Sequence, residues 1–440
     1  MARERRPRPP SDPPEPGLHS EGTDHAKPPR AAPSGARTPP HQGSPHCAFR
    51  VAHLALSIRG QDRSTNQDFC HCVPELGLFI VADGMGGHAA GDIASRTATE
   101  AVEAALQEPE RRARRQAFIR HPGPDQRRSV LDDLAEATRI ANEAVIAAAG
   151  DDPERKGMGT TLDVLLLLGE RAFIAHVGDA RVYLVRPRTT VQLTDDHTSS
   201  ARFQTSGKRT PTPLARAPLN NAVGHHRRRR LRVDTLAPKV APGERIALCT
   251  DGFAASYDDD GELGQALRSG ASRDALAARV RRDGPRDDAT AVVVTIGALA
   301  SPRGLGDEET ARRDVEALAQ NPLFGALSPA RRRAALAAAV EVEIPADASV
   351  PPIAGHDRVA YAILEGVAEL PDGRRLGPSA LLLAESLVDV DRRRPPARAA
   401  ERLRLLRVRR VDFEAVCDAD AELAAELYRR LAYHLAAVHA

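Results

Sequence analysis

The order of apolar and polar residues divides the chain into three parts: an N-terminal stretch with little pattern, a long strand-and-helix region and a shorter C-terminal one. Residues 1–46 are rich in Pro, Arg, Ser, Gly and His and almost lack aliphatic side chains. Such a segment cannot bury enough surface to offset its ordering entropy, so it is expected to be disordered. Residues 51–58 then alternate apolar and polar, as an antiparallel strand does. Residues 73–82 read as the next strand, with Leu78 to Ala82 continuously apolar. Residues 89–106 place Ala94, Ala98, Val102 and Leu106 on one helical stripe. A second amphipathic helix spans 130–149, with Leu131, Leu134, Ala141 and Val145 in register. Between these helices, residues 108–128 are basic and contain Pro122 and Pro124, which reads as an exposed loop. Strands follow at 162–168, 171–177, 181–185, 232–236, 245–249 and 291–296. Helices are expected at 262–268 and, capped by Ser272, at 273–283. Runs of strands between helices predict an α+β fold of packed antiparallel sheets with helices outside, not alternating βαβ units.

Residues 199–230 lose periodicity, contain Pro211, Pro213 and Pro218 and end in a basic run, which reads as a flexible flap with a solvated basic face. A polar linker covers 299–311. Beyond it, Ser328 and Pro329 have the order expected of an N-cap and first helical residue. Short strands at 340–344, 360–364, 367–370 and 403–408, then helices at 412–418 and 421–438, predict a small jelly-roll-like β-roll domain with flanking helices.

Composition narrows the class. A length of 440 residues suggests two or three domains. A formal net charge of +2 gives no argument for nucleic acid as a partner. The five cysteines are scattered, with no CxxC pair, which fits a reducing compartment. No apolar run approaches the length of a membrane helix, and the N-terminus lacks an apolar signal core. A cytoplasmic protein with no membrane partner is expected.

The candidate chemistry lies where apolar runs end. Val81-Ala82 leads into Asp83-Gly84-Met85-Gly86-Gly87-His88, with Asp83 expected at a strand end. Asp179 follows Val177-Gly178, Asp251 follows Cys249-Thr250, and Asp287 opens the last strand. Glycines beside a rigidly held carboxylate let backbone approach a cation closely. Four carboxylates at one rim of a sheet sandwich repel unless cations lie between them. With no His or Cys ligands, the implied ions are hard, Mn2+ or Mg2+. Two such ions can lower the pKa of a water and aim it at phosphorus. Arg63, just past the first strand, offers a two-pronged donor for phosphate oxygens.

These residues resemble the metal-dependent protein Ser/Thr phosphatases of the PPM or type 2C family, in their bacterial form. The likeness spans about residues 48–296. It runs in order through Arg63 with Asn66-Gln67-Asp68, Asp83-Gly84-Met85-Gly86-Gly87-His88, Gly159-Thr160-Thr161, Val177-Gly178-Asp179-Ala180-Arg181, Leu193-Thr194-Asp195-Asp196-His197, Thr250-Asp251-Gly252 and Asp287-Asp288-Ala289-Thr290. It implies a four-layer αββα sandwich over residues 47–298 with metals in a cleft at one edge. By the same resemblance, Asp83 bridges two metals, Gly84 offers its carbonyl, Asp251 and Asp287 complete the ligand set, and Asp68 acts through water. Met85 stands where eukaryotic members often carry a proton-donating His, which leaves His88 or water as the general acid. Ala255 stands where a carboxylate or amide is usual, so a third ion using Asp179 is the least supported.

Residues 312–440 resemble a cyclic-nucleotide-binding domain through Leu323-Phe324, Tyr361-Ala362-Ile363-Leu364-Glu365-Gly366 and the run from Leu376-Gly377-Pro378 to Glu385. Glu385 falls where that family binds ribose, and Arg393 where it binds the cyclic phosphate. Ala384 replaces the expected Gly, and Pro395 and Pro396 remove backbone donors. Weak or absent cyclic-nucleotide binding is expected, with a regulatory or docking role. The whole reads as a phosphatase acting on Ser/Thr-phosphorylated proteins. The alternative is a catalytically weak phosphatase fold serving as a signalling binding module, which the retained aspartates and Arg63 argue against.

Overall fold

The computed structural model describes residues 46–86, 90–198, 219–225, 231–282, 284–299, 308–350, 358–388 and 397–439. The expected tail (bar His46), His88, Arg393 and most of the expected flap lie outside them. All described residues belong to one unit, Pro40–Ala440.

Eleven strands come first: β1 (Phe49–Ile58), β2 (Asp68–Val73), β3 (Leu78–Met85), β4 (Gly159–Thr160), β5 (Leu162–Leu168), β6 (Arg171–Val177), β7 (Arg181–Val185), β8 (Thr190–Gln192), β9 (Asp234–Leu236), β10 (Arg245–Cys249) and β11 (Ala289–Leu299). Helices α1 (Ala90–Gln107), α2 (Pro109–Arg120) and α3 (Pro124–Ala149) fall between β3 and β4. Helices α4 (Asp251–Ala254), α5 (Asp260–Arg268) and α6 (Arg273–Arg282) fall between β10 and β11. One sheet runs β1-β11-β10-β7-β8 and the other β2-β3-β5-β6-β9, with β4 also paired to β3.

Three cores define four layers. Phe79, Val81, Leu165, Ile174, Leu184, Leu248 and Val292 fill the space between the sheets. Ile80, Val164, Leu166 and Phe173 face Ala94, Ala98, Val102, Leu134 and Ala141 of α1 and α3. Tyr183, Ala247 and Val293 face Phe253, Leu263, Leu267 and Val280 of α4–α6. A strand covered on both faces has no polar side to alternate, which is why β5 is buried along its whole length.

Two expectations change. The basic stretch 108–128 is mostly helical, forming α2 and the start of α3, and Arg111 and Arg115 turn inward to donate to Ala105 O and Leu106 O at the end of α1. The expected single strand over 73–82 is the end of β2 and most of β3, divided by a turn at Pro74–Leu76 that closes on Gly77.

The C-terminal region adds α7 (Glu308–Gln320), α8 (Pro329–Leu336), β12 (Ala339–Ile344), β13 (Ser349–Val350), β14 (Val359–Glu365), β15 (Ala368–Glu369), β16 (Arg375–Leu376), β17 (Leu381–Leu382), β18 (Ala397–Ala399), β19 (Leu403–Arg409), α9 (Arg410–Ala419) and α10 (Ala421–His439). The first of these helices occupies part of what reads as linker in the sequence. Sheets β12-β19-β14-β17 and β13-β18-β15-β16 share a core that includes Val350, Tyr361, Ile363, Leu382 and Leu405. Leu323, Phe324, Val408, Phe413, Leu423 and Leu427 form a second core with the helices. Val340 of β12, however, packs into the inter-sheet core of the first region. No helix among the described residues is long and apolar enough to cross a membrane.

Candidate active site: an acidic rim

Asp68 and Asp83 are cross-strand partners on β2 and β3. Like charges directly opposite in a sheet destabilise it, so this pairing has to be compensated by something else. Asp83 lies within its strand and not at the end, because β3 runs on to pair Gly84 with Thr160 and Met85 with Gly159. The Gly159-Thr160-Thr161 run holds the Asp83 backbone from both sides. Thr161 N and Thr160 Oγ1 each donate to Asp83 O at 2.9 Å, and Asp83 N donates to Thr161 Oγ1 at 2.9 Å. Gly84 is glycine for a packing reason: a Cβ there would lie 2.1 Å from Gly91 O and 2.5 Å from Gln67 O. Backbone closeness, which in the sequence suggests an ion, here seats the start of α1.

Asp179 occupies the β6–β7 turn, and Asp251 is the first residue of α4, directly after β10. The electrostatics link these residues to the strand pair. Burial raises the Asp83 carboxyl well above the usual carboxylate range, and the charges of Asp68, Asp251 and Asp179 raise it further. Asp68 is pushed up to about 7, chiefly by burial; hydrogen bonds from Thr290 and Thr250 oppose this, and Asp288 and Asp251 add to it. Asp179 also rises to about 7, through burial and then the charges of Asp251 and Asp196. Asp68 Oδ2 accepts from Thr250 Oγ1 at 3.0 Å, whereas its Oδ1 is buried with no hydrogen-bond partner among the described residues. An orphaned carboxylate oxygen within a group of mutually repelling carboxylates is the donor set that a hard cation relieves. Among the described residues no three such side chains already converge as a closed cage. The arrangement is an open rim.

Asp287 lies beside Gly252, the neighbour of Asp251, where an added Cβ would come within 3.2 Å of the Asp287 Cβ. It holds Arg63, whose Nε donates to its Oδ1 at 2.8 Å. Asp288, the neighbour to which sequence reasoning gives no role, is buried and holds the Arg63 loop in place. Its Oδ1 accepts from Gly60 N at 2.9 Å and its Oδ2 from Gln67 N at 2.7 Å. Nothing local in the sequence signals this link, which joins residues more than two hundred positions apart.

A second unforeseen group backs the Asp179 turn. Asp163 and His176 are cross-strand partners on β5 and β6, both fully buried, with Nδ1 2.6 Å from Oδ1. His176 Nε2 lies 3.0 Å from Asp195 O, a pure acceptor. With Asp163 ionised, both ring nitrogens donate and the ring is an imidazolium, although burial raises the Asp163 carboxyl as well. Burial opposes that charge, but Asp163 outweighs it and raises His176 to about 9. The signal available in the sequence is one aspartate inside an apolar strand. Glu385, by contrast, belongs to the C-terminal region, buried in the turn Ala384–Leu387.

A sequence model of the family described as Protein phosphatase 2C matches residues 59–295. The serine/threonine protein phosphatase PstP of Mycobacterium tuberculosis is 32% identical over 254 residues, which cover 56% of this chain and 45% of that protein. Protein phosphatase PhpP of Streptococcus pneumoniae is 34% identical over 171 residues, covering 38% of this chain and 64% of that one. The chain thus spans about half the length of the first of these relatives and under two thirds of the second. Among solved structures, the catalytic domain of PstP in complex with two manganese ions is 30% identical, covers 56% of this chain and 99% of that one, and superposes with a TM-score of 0.46. The family match takes in more than half of the 440 residues, and the chain belongs to the protein phosphatase 2C family.

Proposed function

We propose that this protein is a Mn2+- or Mg2+-dependent protein phosphatase that hydrolyses phosphoserine and phosphothreonine in other proteins. The observation that carries the reading is the orphaned, buried Asp68 Oδ1 beside Asp83. Burial and then the charges of Asp68, Asp251 and Asp179 raise the Asp83 carboxyl, while Asp251 also raises Asp68 and Asp179. Carboxylates held this way are destabilising unless cations share the rim. In this reading Asp83, the Gly84 carbonyl, Asp251 and Asp287 hold two ions, Asp68 acts through water, and Asp179 serves a third. Divalent cations bound there supply Lewis acidity toward a phosphoryl group and a water of lowered pKa. Arg63, about a third exposed, presents a planar fork that fits two non-bridging phosphate oxygens once it leaves Asp287. His88 or a water is proposed to return a proton to the leaving serine or threonine. The names of the relatives, serine/threonine phosphatases, agree with this activity. The test is hydrolysis of p-nitrophenyl phosphate and of a phosphothreonine peptide by the purified chain with Mn2+, with Mg2+ and with chelator. Turnover only with metal is expected, and turnover that survives chelation overturns the reading.

For the C-terminal region the proposal is a cyclic-nucleotide-binding-like module kept for regulation or docking. Two small facing sheets flanked by helices, and Glu385 buried in a short turn, support it. Ala384 is itself buried, so its Cβ occupies space that a glycine would leave to a ligand. Calorimetry of the full chain is expected to show no micromolar binding of cyclic AMP or cyclic GMP. Such binding, abolished by Glu385→Ala, would show the opposite.

A further inference from the structure

Residues 192–197 run between the acidic rim and the C-terminal region and are held from both sides. On the rim side, Asp195 O accepts from His176 Nε2 at 3.0 Å. His197 N donates to Gly178 O at 2.7 Å, and Gly178 N donates to His197 Nδ1 at 3.2 Å. The Gly178 turn has no slack: its φ is +119°, and a Cβ there would lie 2.6 Å from Thr161. Asp179 is the next residue. On the other side, two arginines of β19 reach across. Arg407 Nη2 donates to Leu193 O at 2.9 Å, and its Nη1 lies 3.6 Å from Asp195 Oδ2. Arg409 Nη1 donates to Gln192 O at 3.1 Å.

Holding the two regions together does not require these contacts. Arg171 pairs with Glu341 at 3.1 Å, Arg127 pairs with Glu343, and Arg186 donates to Ala337 O at 2.7 Å, all without touching residues 192–197. Arg407 differs because the main-chain carbonyl it binds belongs to residues 192–197, so it fixes the path of that backbone. We propose that Arg407 is a positioning residue for the rim: from the C-terminal region it holds residues 193–195, and through them the turn that presents Asp179. The inference rests on the reading of Asp179 as part of a metal-dependent site. Misplacement of a catalytic group by an ångström can cost about 10²-fold in rate, so a hold at this point is worth having.

The test compares full-length wild type, Arg407→Ala, Asp195→Asn and Arg407→Lys. The control is the paired apolar exchange Arg127→Met with Glu343→Leu elsewhere on the same interface. Amide hydrogen exchange is read in peptides covering 176–181 and 192–197, and the Mn2+ concentration for half-maximal turnover is measured alongside. Arg407→Ala is expected to speed exchange in both peptides and to raise half-saturating Mn2+ several-fold, with excess Mn2+ restoring turnover. Asp195→Asn, which loses the ion pair and keeps the Leu193 bond, should shift both readouts less. Arg407→Lys keeps a donor for Leu193 O and should stay near wild type. Unchanged exchange at 176–181 in both Arg407→Ala and Asp195→Asn overturns the proposal, as does an equal change in the control pair. If Arg407→Ala does not fold, Asp195→Asn set against Arg407→Lys decides it. The exchange readout needs no turnover. A wild-type protein that hydrolyses nothing therefore overturns the phosphatase reading alone.

Discussion

Buried charge occurs in two regions of this molecule and is handled in opposite ways. At the rim, Asp68, Asp83, Asp179 and Asp251 face one another, and burial and mutual repulsion raise three of them. At the contact between the first region and β12, each buried carboxylate meets an arginine. Glu341 pairs with Arg171 and Arg404, Arg404 also reaches Asp314 and Glu365, and Glu343 pairs with Arg127. Burial alone would raise Glu341, yet Arg171, Arg404 and Arg127 lower it to about 2. Charge compensated within the chain marks a structural joint. Charge left uncompensated marks a place prepared for something the chain does not itself contain.

The comparison breaks most visibly if an aspartate of the rim can be lost without consequence. If the proposed metal site is right, Asp83→Asn and Asp251→Asn should each remove nearly all Mn2+-dependent turnover, since each deletes a charge proposed to hold the ions. The stability effect should have the other sign. Asp83 has a raised folded pKa, so its ionisation costs the metal-free fold stability as pH rises above the unfolded value. Asp83→Asn mimics the neutral form and should melt higher than wild type in chelator at pH 7. Calorimetric melting with and without Mn2+ checks it. A metal-free variant that melts lower would mean the repulsion is not there.

The opposite result is expected at the interface. Glu341→Gln leaves Arg171 buried without its counter-charge, and breaking a buried pair in this way costs about 3–5 kcal/mol. Urea denaturation should show the loss, together with earlier exposure of the C-terminal region. Glu341 is depressed, so its contribution is present above about pH 4.5, the unfolded value, and is lost as pH falls through about 2. Wild type should therefore keep this joint throughout the neutral range.

Most of the strands and the rim aspartates Asp83, Asp179 and Asp251 can be read from the sequence, because both signals are local. The apolar run of β5 and the carboxylate-glycine pairs at Asp83 and Asp251 need only their neighbours to be recognised. The compensation is not local. Alternating Val and Glu in β12 reads as a strand with one wet face, but Glu341 and Glu343 are covered by arginines about 170 and 216 positions away. Asp288 reads as a mere repeat of Asp287, and only the closure of the Gly60–Gln67 loop on it gives it a role. The basic α2 reads as solvated because nothing nearby shows that Arg111 and Arg115 cap a preceding helix.

His176 tests a case between the two regimes: one charge pair, fully buried, behind the rim. Its pKa is about 9 in the fold against about 6.5 unfolded, so it adds stability that is complete below pH 6.5 and lost as pH rises through 9. That shift corresponds to on the order of 3 kcal/mol. Wild-type stability should fall between pH 7 and 10, whereas His176→Gln should be lower at pH 7 and nearly flat across that window. Parallel curves for the two proteins would place the pH dependence elsewhere.

The smallest effect expected is at Arg63, where both regimes meet in one side chain. In the metal-free protein it neutralises Asp287, as an interface arginine would, at 2.8 Å and with the arginine about a third exposed. A half-buried, solvent-screened pair of this kind is worth on the order of 1 kcal/mol to the fold. Its proposed task, however, is to grip phosphate with two parallel donors, which a lysine cannot do. Arg63→Lys keeps the charge beside Asp287, so its melting temperature should match wild type. Inhibition by inorganic phosphate and kcat/KM for a phosphopeptide should each weaken about tenfold, the roughly 1.4 kcal/mol expected when a bidentate charge-assisted contact becomes a single one. If the melting temperature falls while phosphate inhibition stays unchanged, Arg63 belongs with Arg127 and Arg171 as a structural counter-charge, and the phosphate is held by another group.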